Sequence, residues 1–430
     1  MYFDPVETLP RPELEALQAQ RLKRSVAIAL KSPFYAERLG AMGLSPESIT
    51  CSADVKKLPF TTKEDLRSQY PYGMLSRPLD DFVRLHASSG TTGTPTAIFY
   101  TENDIREWAS LMARSMYACG IRKSDVLQNM SGYGLFTGGL GIHYGSEHLG
   151  CLTVPAGAGN SKRQVKLIRD FNVTVAHIIP SYALYFAEFL ETEGIDPASL
   201  PLRIALIGAE PHTEEIRKRI EQMLHIKAYN SYGLSEMNGP GVAFECTQQS
   251  GMHVWEDAFL IEIINPETGE DAAEGEIGEV VMTNLTREGM PLLRYRTRDL
   301  TRFIPGECAC GRTHRRIDRI TGRADDMLII KGVNIYPMQI EQTLMNIPEV
   351  GQNYLIELFH EGVMDQIRVK VEIREEFFVE DMRELQSLQK RIASRLRDEI
   401  LVTPRVELVQ SGTIPKGEGK AKRVVDLRNA

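Results

Sequence analysis

Ser88-Ser-Gly-Thr-Thr-Gly-Thr-Pro95 sets five hydroxyl side chains and two glycines in eight positions. Gly90 and Gly93 can take positive φ, which lets backbone N–H groups close around an anion. Ser88, Ser89, Thr91, Thr92 and Thr94 add hydrogen-bond donors without adding charge. That chemistry suits the oxygens of a polyphosphate. Phe82 to Leu85 before the loop and Thr96 to Tyr100 after it read as strands, so the loop is expected as a glycine-rich turn between them. A Walker A loop would carry Lys-Ser or Lys-Thr directly after its second glycine and open a helix. Thr94-Pro95 stands there instead, which argues against an ordinary P-loop NTPase.

Outward from the loop, strand-like and helix-like pieces alternate. Val173 to Ile179 is a short apolar run ended by Pro180, and Leu202 to Ile207 is another. A charged helix from Thr213 to about Leu224 follows, then a strand-like Ile226 to Tyr229. Strand, helix and strand at this spacing predict an α/β core with functional loops at the strand ends. Residues 12 to 31 read as a helix stopped by Ser32-Pro33. From Phe259 the pattern becomes strands and turns, with Phe259 to Ile264 and Gly278 to Thr283 as strands. Past residue 325, Ile367, Val369, Val371 and Ile373 alternate with polar residues, the mark of a half-buried strand. Residues 381 to 400 predict an amphipathic helix and Arg405 to Val409 a closing strand. The expected division is a large domain over 1–324 and a small α+β domain over 325–430.

The bulk properties limit the function classes. With 430 residues, 42% of them hydrophobic and 25% charged, the chain is an ordinary globular protein of more than one core. A net charge of −8 argues against a nucleic-acid polymer as partner. No apolar run reaches the length a membrane helix needs, and the N-terminus has no basic-then-apolar leader. Six cysteines in a chain of this length do not make a disulfide scaffold, so a reducing cytoplasm is expected.

Further motifs follow the loop in order: Tyr232-Gly-Leu-Ser-Glu236, Tyr295-Arg-Thr-Arg-Asp299, Gly322-Arg-Ala-Asp-Asp326 and Pro415-Lys-Gly-Glu-Gly-Lys420. Together they resemble the acyl-adenylate-forming superfamily. Ser32-Pro-Phe-Tyr35, Gly132 to Gly141 and His143-Tyr-Gly145 make the phenylacetate–coenzyme A ligase family its nearest branch. The resemblance covers nearly the whole chain. It implies a multi-subdomain adenylate-forming N-terminal domain, a mobile C-terminal domain, and ATP, Mg²⁺ and coenzyme A as reactants. It also implies a homodimer. An acid, with phenylacetate or another aryl acid foremost, would attack ATP to give an acyl-adenylate and pyrophosphate, and coenzyme A would then displace AMP. Rival readings are an adenylyltransferase acting on a deazaflavin cofactor and a catalytically silent nucleotide-binding protein.

Each motif has its own chemistry. Glu236 is a carboxylate suited to Mg²⁺ on the phosphates. Tyr232 offers an aromatic face to adenine, and the resemblance puts Gly208, Ala209 and Glu210 beside it. A carboxylate suits a vicinal diol, and the resemblance assigns Asp299 to the ribose hydroxyls. Lys420 carries an ammonium that can stabilise charge building on the α-phosphate. Arg323 and Asp325 fall at the domain junction, with Asp325 as hinge and Lys331 close behind. Tyr133, Phe136 and Tyr144, among the glycines of 132–145, are expected to shape an aryl slot in a glycine-rich wall. Two departures from the superfamily stand out: Thr94 where many members carry lysine, and a lysine motif one residue shorter than the commonest form.

The cysteines carry a separate signal. Cys308-Ala-Cys310 precedes Gly311, while Cys246 and His253 lie upstream in a second short cluster. Three sulfurs and an imidazole would complete a tetrahedral structural Zn²⁺ site, with His314 as a substitute ligand. Cys51, Cys119 and Cys151 read as small apolar fillers.

Overall fold

A computed structural model of the chain describes residues 2–87, 95–331, 333–361, 364–377, 382–414 and 423–428. Two compact units result, one of residues up to 178 with 200–209 and 227–320, the other of 179–199, 210–226 and 321 onward.

In the larger unit, α1 (Arg11–Ala29) buries Leu14, Leu22, Val26 and Ala29, one stripe at helical spacing. It ends three residues before Ser32, whose hydroxyl accepts the Tyr35 N–H and caps α2 (Pro33–Ala41). Ser32-Pro33 therefore closes one helix and opens the next. After α3 (Lys63–Ser68), β1 (Phe82–Ala87) and β2 (Ala97–Thr101) pair antiparallel, as expected of the loop's flanks. Thr101 and Asp104 form a capping box that starts α4 (Glu102–Ala118). Next come β3 (Val126–Asn129), α5 (Thr137–Leu149), β4 (Leu152–Val154), α6 (Ser161–Asp170), β5 (Val175–His177), β6 (Ile204–Gly208) and β7 (Lys227–Leu234).

These strands form one sheet in the order β4-β3-β5-β6-β7, all parallel. The sheet continues antiparallel through β8 (Gly239–Glu245) and β9 (Met252–Val254). A second antiparallel sheet holds β10 (Phe259–Ile264), β11 (Gly278–Asn284) and β12 (Tyr295–Thr301). Within the parallel strands β6 is buried at every position, so it reads as a continuous apolar run, while the edge strand β4 leaves Leu152 exposed. At the far edge of the first sheet, β13 (Phe303–Ile304) and β14 (Arg316–Ile317) pair with each other, and β14 pairs with β9.

Gly132 to Gly145 departs from the expected wall. From Thr137 it is helix α5, which packs tightly on α4. A Cβ on Gly141 would collide with Trp108 and stand 2.9 Å from Pro240 Cγ; one on Gly145 would collide with Met112. These glycines let two helices approach, a tertiary demand that overrides their poor helix propensity. Cys51 departs too: it is exposed, whereas Cys119 and Cys151 are buried.

In the smaller unit, Val350–Glu361 and Met364–Ile373 pair antiparallel, and Arg405–Gln410 and Val424–Asp426 flank them in parallel. Ile367, Val369, Val371 and Ile373 are all buried, on the alternation read from the sequence. Helix Met382–Ile400 buries Leu388, Ile392, Leu396 and Ile400, one face at i, i+4. Helix Glu214–Leu224 belongs to this unit and packs on helix Pro337–Met345. Among the described residues no helix is long and apolar enough to cross a membrane.

Candidate active site

The parallel strands β3, β5, β6 and β7 bring Asn129, His177 and Gly208 to one edge of the sheet, with Tyr232 close to the end of β7. In an open α/β sheet this edge is where ligands bind. Ser88, Ser89, Gly90, Thr91, Thr92 and Gly93 lie outside the described residues, but both flanks of their loop are placed. On the incoming side, Ala87 N donates to Leu135 O at 3.0 Å and His86 Nδ1 lies 3.0 Å from the same oxygen. On the outgoing side, Thr96 Oγ1 stands 3.5 Å from Glu236 Oε1.

Glu236 is buried in the turn Ser235–Met237 that follows β7. Three contacts fix that turn. Tyr100 OH donates to Ser235 O at 3.2 Å, Thr137 Oγ1 meets Ser235 Oγ at 3.2 Å, and Arg287 Nη1 donates to Glu236 O at 3.3 Å. Arg287 is itself anchored by Nη2 donating to Phe99 O at 2.6 Å. The turn that carries Glu236 is thus held by β2, by the N-terminus of α5 and by Arg287, and the carboxylate itself meets Thr96.

Tyr232 and Asp299 come from different sheets and meet directly, the Tyr232 hydroxyl donating to Asp299 Oδ2 at 2.6 Å. Gly208 lies beside Ser231, and a Cβ there would sit 2.6 Å from the Ser231 carbonyl oxygen. Ala209 has φ +69°, an uncommon turn for a residue with a side chain. In the smaller unit, Glu210 accepts the Ser181 N–H through Oε1. There too Arg323 forms a two-pronged ion pair with Asp325, both contacts at 2.9 Å. Lys331 takes φ +51° between the short strands Leu328–Ile330 and Val333–Ile335. Lys420 lies outside the described residues.

On the other side of the edge runs a chain of polar contacts. His177 is buried, and desolvation pushes its pKa down to about 4, so it is neutral. Its Nδ1 lies 2.8 Å from Asn129 Oδ1. Asn129 Nδ2 donates to Tyr133 OH at 2.9 Å and to Gly139 O at 2.8 Å. Tyr133 OH meets His143 Nδ1 at 3.2 Å, and His143 Nε2 lies 3.1 Å from Glu147. The chain fixes Tyr133 at the loop that precedes α5, where Phe136 is exposed. Tyr144 lies further along the helix with the Arg84 guanidinium 4.5 Å above its ring.

Cys246, His253, Cys308 and Cys310 converge in the larger unit, all four donor atoms within 4.8 Å of one another. Cys246 Sγ is 3.7 Å from Cys308 Sγ, and Cys310 Sγ is 3.3 Å from His253 Nε2. Zn–S bonds of about 2.3 Å in a tetrahedron put sulfurs about 3.8 Å apart, so the spacing fits. His253 Nδ1 lies 3.1 Å from His314 O, which as a donor contact leaves the Nε2 lone pair facing the sulfurs. A hydrogen bond from Cys246 holds Cys310 well below the usual thiol range, and Cys246 is raised in turn. His314 is not a ligand: its Nδ1 accepts the Glu256 N–H at 3.0 Å and its Nε2 lies 2.9 Å from Val6 O.

The "AMP-binding enzyme" family model matches residues 25–285, and its "AMP-binding enzyme C-terminal domain" counterpart matches 332–428. The phenylacetate-coenzyme A ligase of Thermus thermophilus is 47% identical, with 100% of both chains covered. That of Pseudomonas putida is also 47% identical, over 100% of this chain and 97% of its own. The chain belongs to the phenylacetate–coenzyme A ligase family. A more distant match is the solved structure of 2-hydroxyisobutyryl-CoA ligase in complex with an acyl-AMP. It is 29% identical, with a TM-score of 0.92 over 99% of this chain and 92% of its own.

For a member of the phenylacetate–coenzyme A ligase family, several framing residues escape a reading by motif. His177 lies inside the run Val173 to Ile179, read only as an apolar strand, and Asn129 ends β3, for which no motif stands in the sequence. Glu279 is fully buried and holds Arg296 and Arg298, which directly precede Asp299 in the chain. Glu7 is fully buried and holds Arg312 through a contact of 2.6 Å, next to the Cys308–Cys310 loop. Neither glutamate carries a signal in the sequence, because each pairs with an arginine distant along the chain.

Proposed function

We propose that this chain joins phenylacetate to coenzyme A at the expense of ATP, through a phenylacetyl-adenylate, releasing pyrophosphate and AMP. The observation that carries the reading is 45–47% identity, over essentially the full length, to enzymes named for that reaction. The site geometry supports it. Asp299, steadied by Tyr232, is the carboxylate for the ribose hydroxyls. The family resemblance assigns Gly208, Ala209 and Glu210 to the base beside Tyr232. The motif, whose residues lie outside those described, assigns Ser88 to Gly93 to the phosphate oxygens. Tyr133 and Phe136, with Tyr144 behind them, take the aryl acid.

In the first step a carboxylate oxygen attacks the α-phosphorus and the bond to pyrophosphate breaks. Lys420 supplies the ammonium that stabilises the charge built there. Glu236, on the turn held by Tyr100, Thr137 and Arg287, is the residue that would hold Mg²⁺, which neutralises phosphate charge when bound. Asp325, next to Arg323, is the hinge that lets coenzyme A reach the adenylate, whose AMP then leaves. Cys246, His253, Cys308 and Cys310 are proposed to hold one structural Zn²⁺, which ties β8 and β9 to the 308–316 segment.

Purified protein given ATP, Mg²⁺, coenzyme A and a panel of aryl acids tests the reading. Phenylacetate should give AMP and a thioester; a panel without AMP formation would remove the proposal. Lys420→Ala should lose adenylate formation far more than ATP binding, and equal loss of both would remove its assigned role.

A further inference from the structure

The pairing of β11 with β12 breaks where Asp299 stands. Gly278 pairs with Thr301 and Glu279 with Leu300, and pairing then resumes with Val281 opposite Arg296. Val280 alone therefore faces Thr297, Arg298 and Asp299, and the surplus of β12 forms a bulge. Arg298 takes φ +68° within it, a conformation that residues with a Cβ seldom adopt. Such a kink re-aims the next side chain, and that side chain is Asp299.

Two groups hold the bulge. Thr297 Oγ1 donates to Val280 O at 2.8 Å and accepts Asp299 N at 3.0 Å. Glu279 does more. It is fully buried, its Oε1 accepts the Arg298 backbone N–H at 3.2 Å, and Arg296 Nε donates to both of its oxygens at 3.2 Å. Arg298 Nη1 reaches its Oε2 at 3.4 Å. One carboxylate thus binds the backbone and the side chain of the strained residue, and the side chain of Arg296 two positions before it. Without that carboxylate the Arg298 amide loses this acceptor on β11, and β12 can relax toward regular pairing.

We propose that Glu279 is a positioning residue for ribose recognition, holding the β12 bulge so that Asp299 points at the sugar hydroxyls. The inference rests on the reading of Asp299 as the ribose carboxylate. It assigns Glu279 no contact with the nucleotide, so its effect should appear in discrimination between sugars rather than in general loss of binding.

The test measures binding of ATP, 2′-deoxy-ATP and 3′-deoxy-ATP by calorimetry, with acid and coenzyme A omitted, for the unmodified protein, Glu279→Gln and Asp299→Asn. The unmodified protein should prefer ATP to both deoxy forms. Glu279→Gln should weaken ATP about 10-fold, the scale of one charge-assisted hydrogen bond, and lower that preference by a similar factor. Unchanged preference in Glu279→Gln, with preference lost in Asp299→Asn, overturns the positioning role and leaves the ribose reading intact. No preference in the unmodified protein, or full preference in Asp299→Asn, overturns both. If Glu279→Gln does not fold, Glu279→Asp, which keeps the charge and withdraws it by one methylene, is read in the same way.

Discussion

Two buried polar clusters in the larger unit differ in what completes them. Around Asp299, carboxylates and guanidiniums are matched within the protein: Glu279 holds Arg296 and Arg298, and Tyr232 donates to Asp299. Around Cys310, three sulfurs and an imidazole lone pair crowd within 4.8 Å, and the nearby guanidinium of Arg312 is shared with Glu7. The first cluster carries its own counter-charge, so it can stay rigid with no ligand and present a preorganised carboxylate. The second has donors in excess and a geometry that fits an ion. On the function proposed above, the first recognises a nucleotide that comes and goes, and the second keeps a structural ion.

This difference can be broken experimentally. The largest effect is expected at the sulfur cluster. Stripping the metal with a strong chelator, or Cys308→Ser, should release one zinc per chain and lower the melting temperature by about 10 °C. Unchanged melting after complete zinc loss, followed by metal analysis, would reduce the cluster to packed thiols. Where Cys308→Ser still folds, its affinity for ATP should stay within about 2-fold, since the cluster is not assigned to the nucleotide.

Asp299→Asn should do the opposite. Losing a charged acceptor for two hydroxyls should raise the KM for ATP about 100-fold, equivalent to about 2.7 kcal/mol, with zinc content unchanged. A KM within a few-fold of the unmodified value would remove Asp299 from the ribose. Glu7→Gln should weaken zinc retention about 10-fold, because the Arg312 anchor beside Cys310 loosens; competition with a chromogenic chelator reads this. Tyr232→Phe is the smallest change. It removes one donor to Asp299 and should raise the KM for ATP about 5-fold while leaving zinc and melting temperature in place. An effect of Tyr232→Phe on zinc, or of Glu7→Gln on ATP, would mean that the two clusters are coupled.

The same contrast explains what could be read before the structure. Cys246, His253, Cys308 and Cys310 are rare residue types in two short clusters, and Tyr232 and Asp299 sit in motifs, so both groups could be named in advance. Strand Phe259–Ile264 and the alternation at 367–373 were legible because burial on one or both faces writes itself into hydrophobic pattern. The helix within 137–149 was not, since its glycines answer to Trp108 and Met112 on another helix. Glu7 and Glu279 were missed for a related reason. Each pairs with an arginine whose distance along the chain carries no periodic signal, and a buried glutamate looks like any surface one in a sequence. Cys51 read as a filler and is exposed, because hydrophobic type alone does not say which side of a turn faces solvent.

The most direct measurement is the product balance of the purified protein with phenylacetate, ATP, Mg²⁺ and coenzyme A, followed by mass spectrometry. The expected result is AMP and phenylacetyl-coenzyme A in equal amounts, with phenylacetyl-adenylate accumulating when coenzyme A is left out. ATP bound but no AMP formed with phenylacetate or any related aryl acid would contradict it.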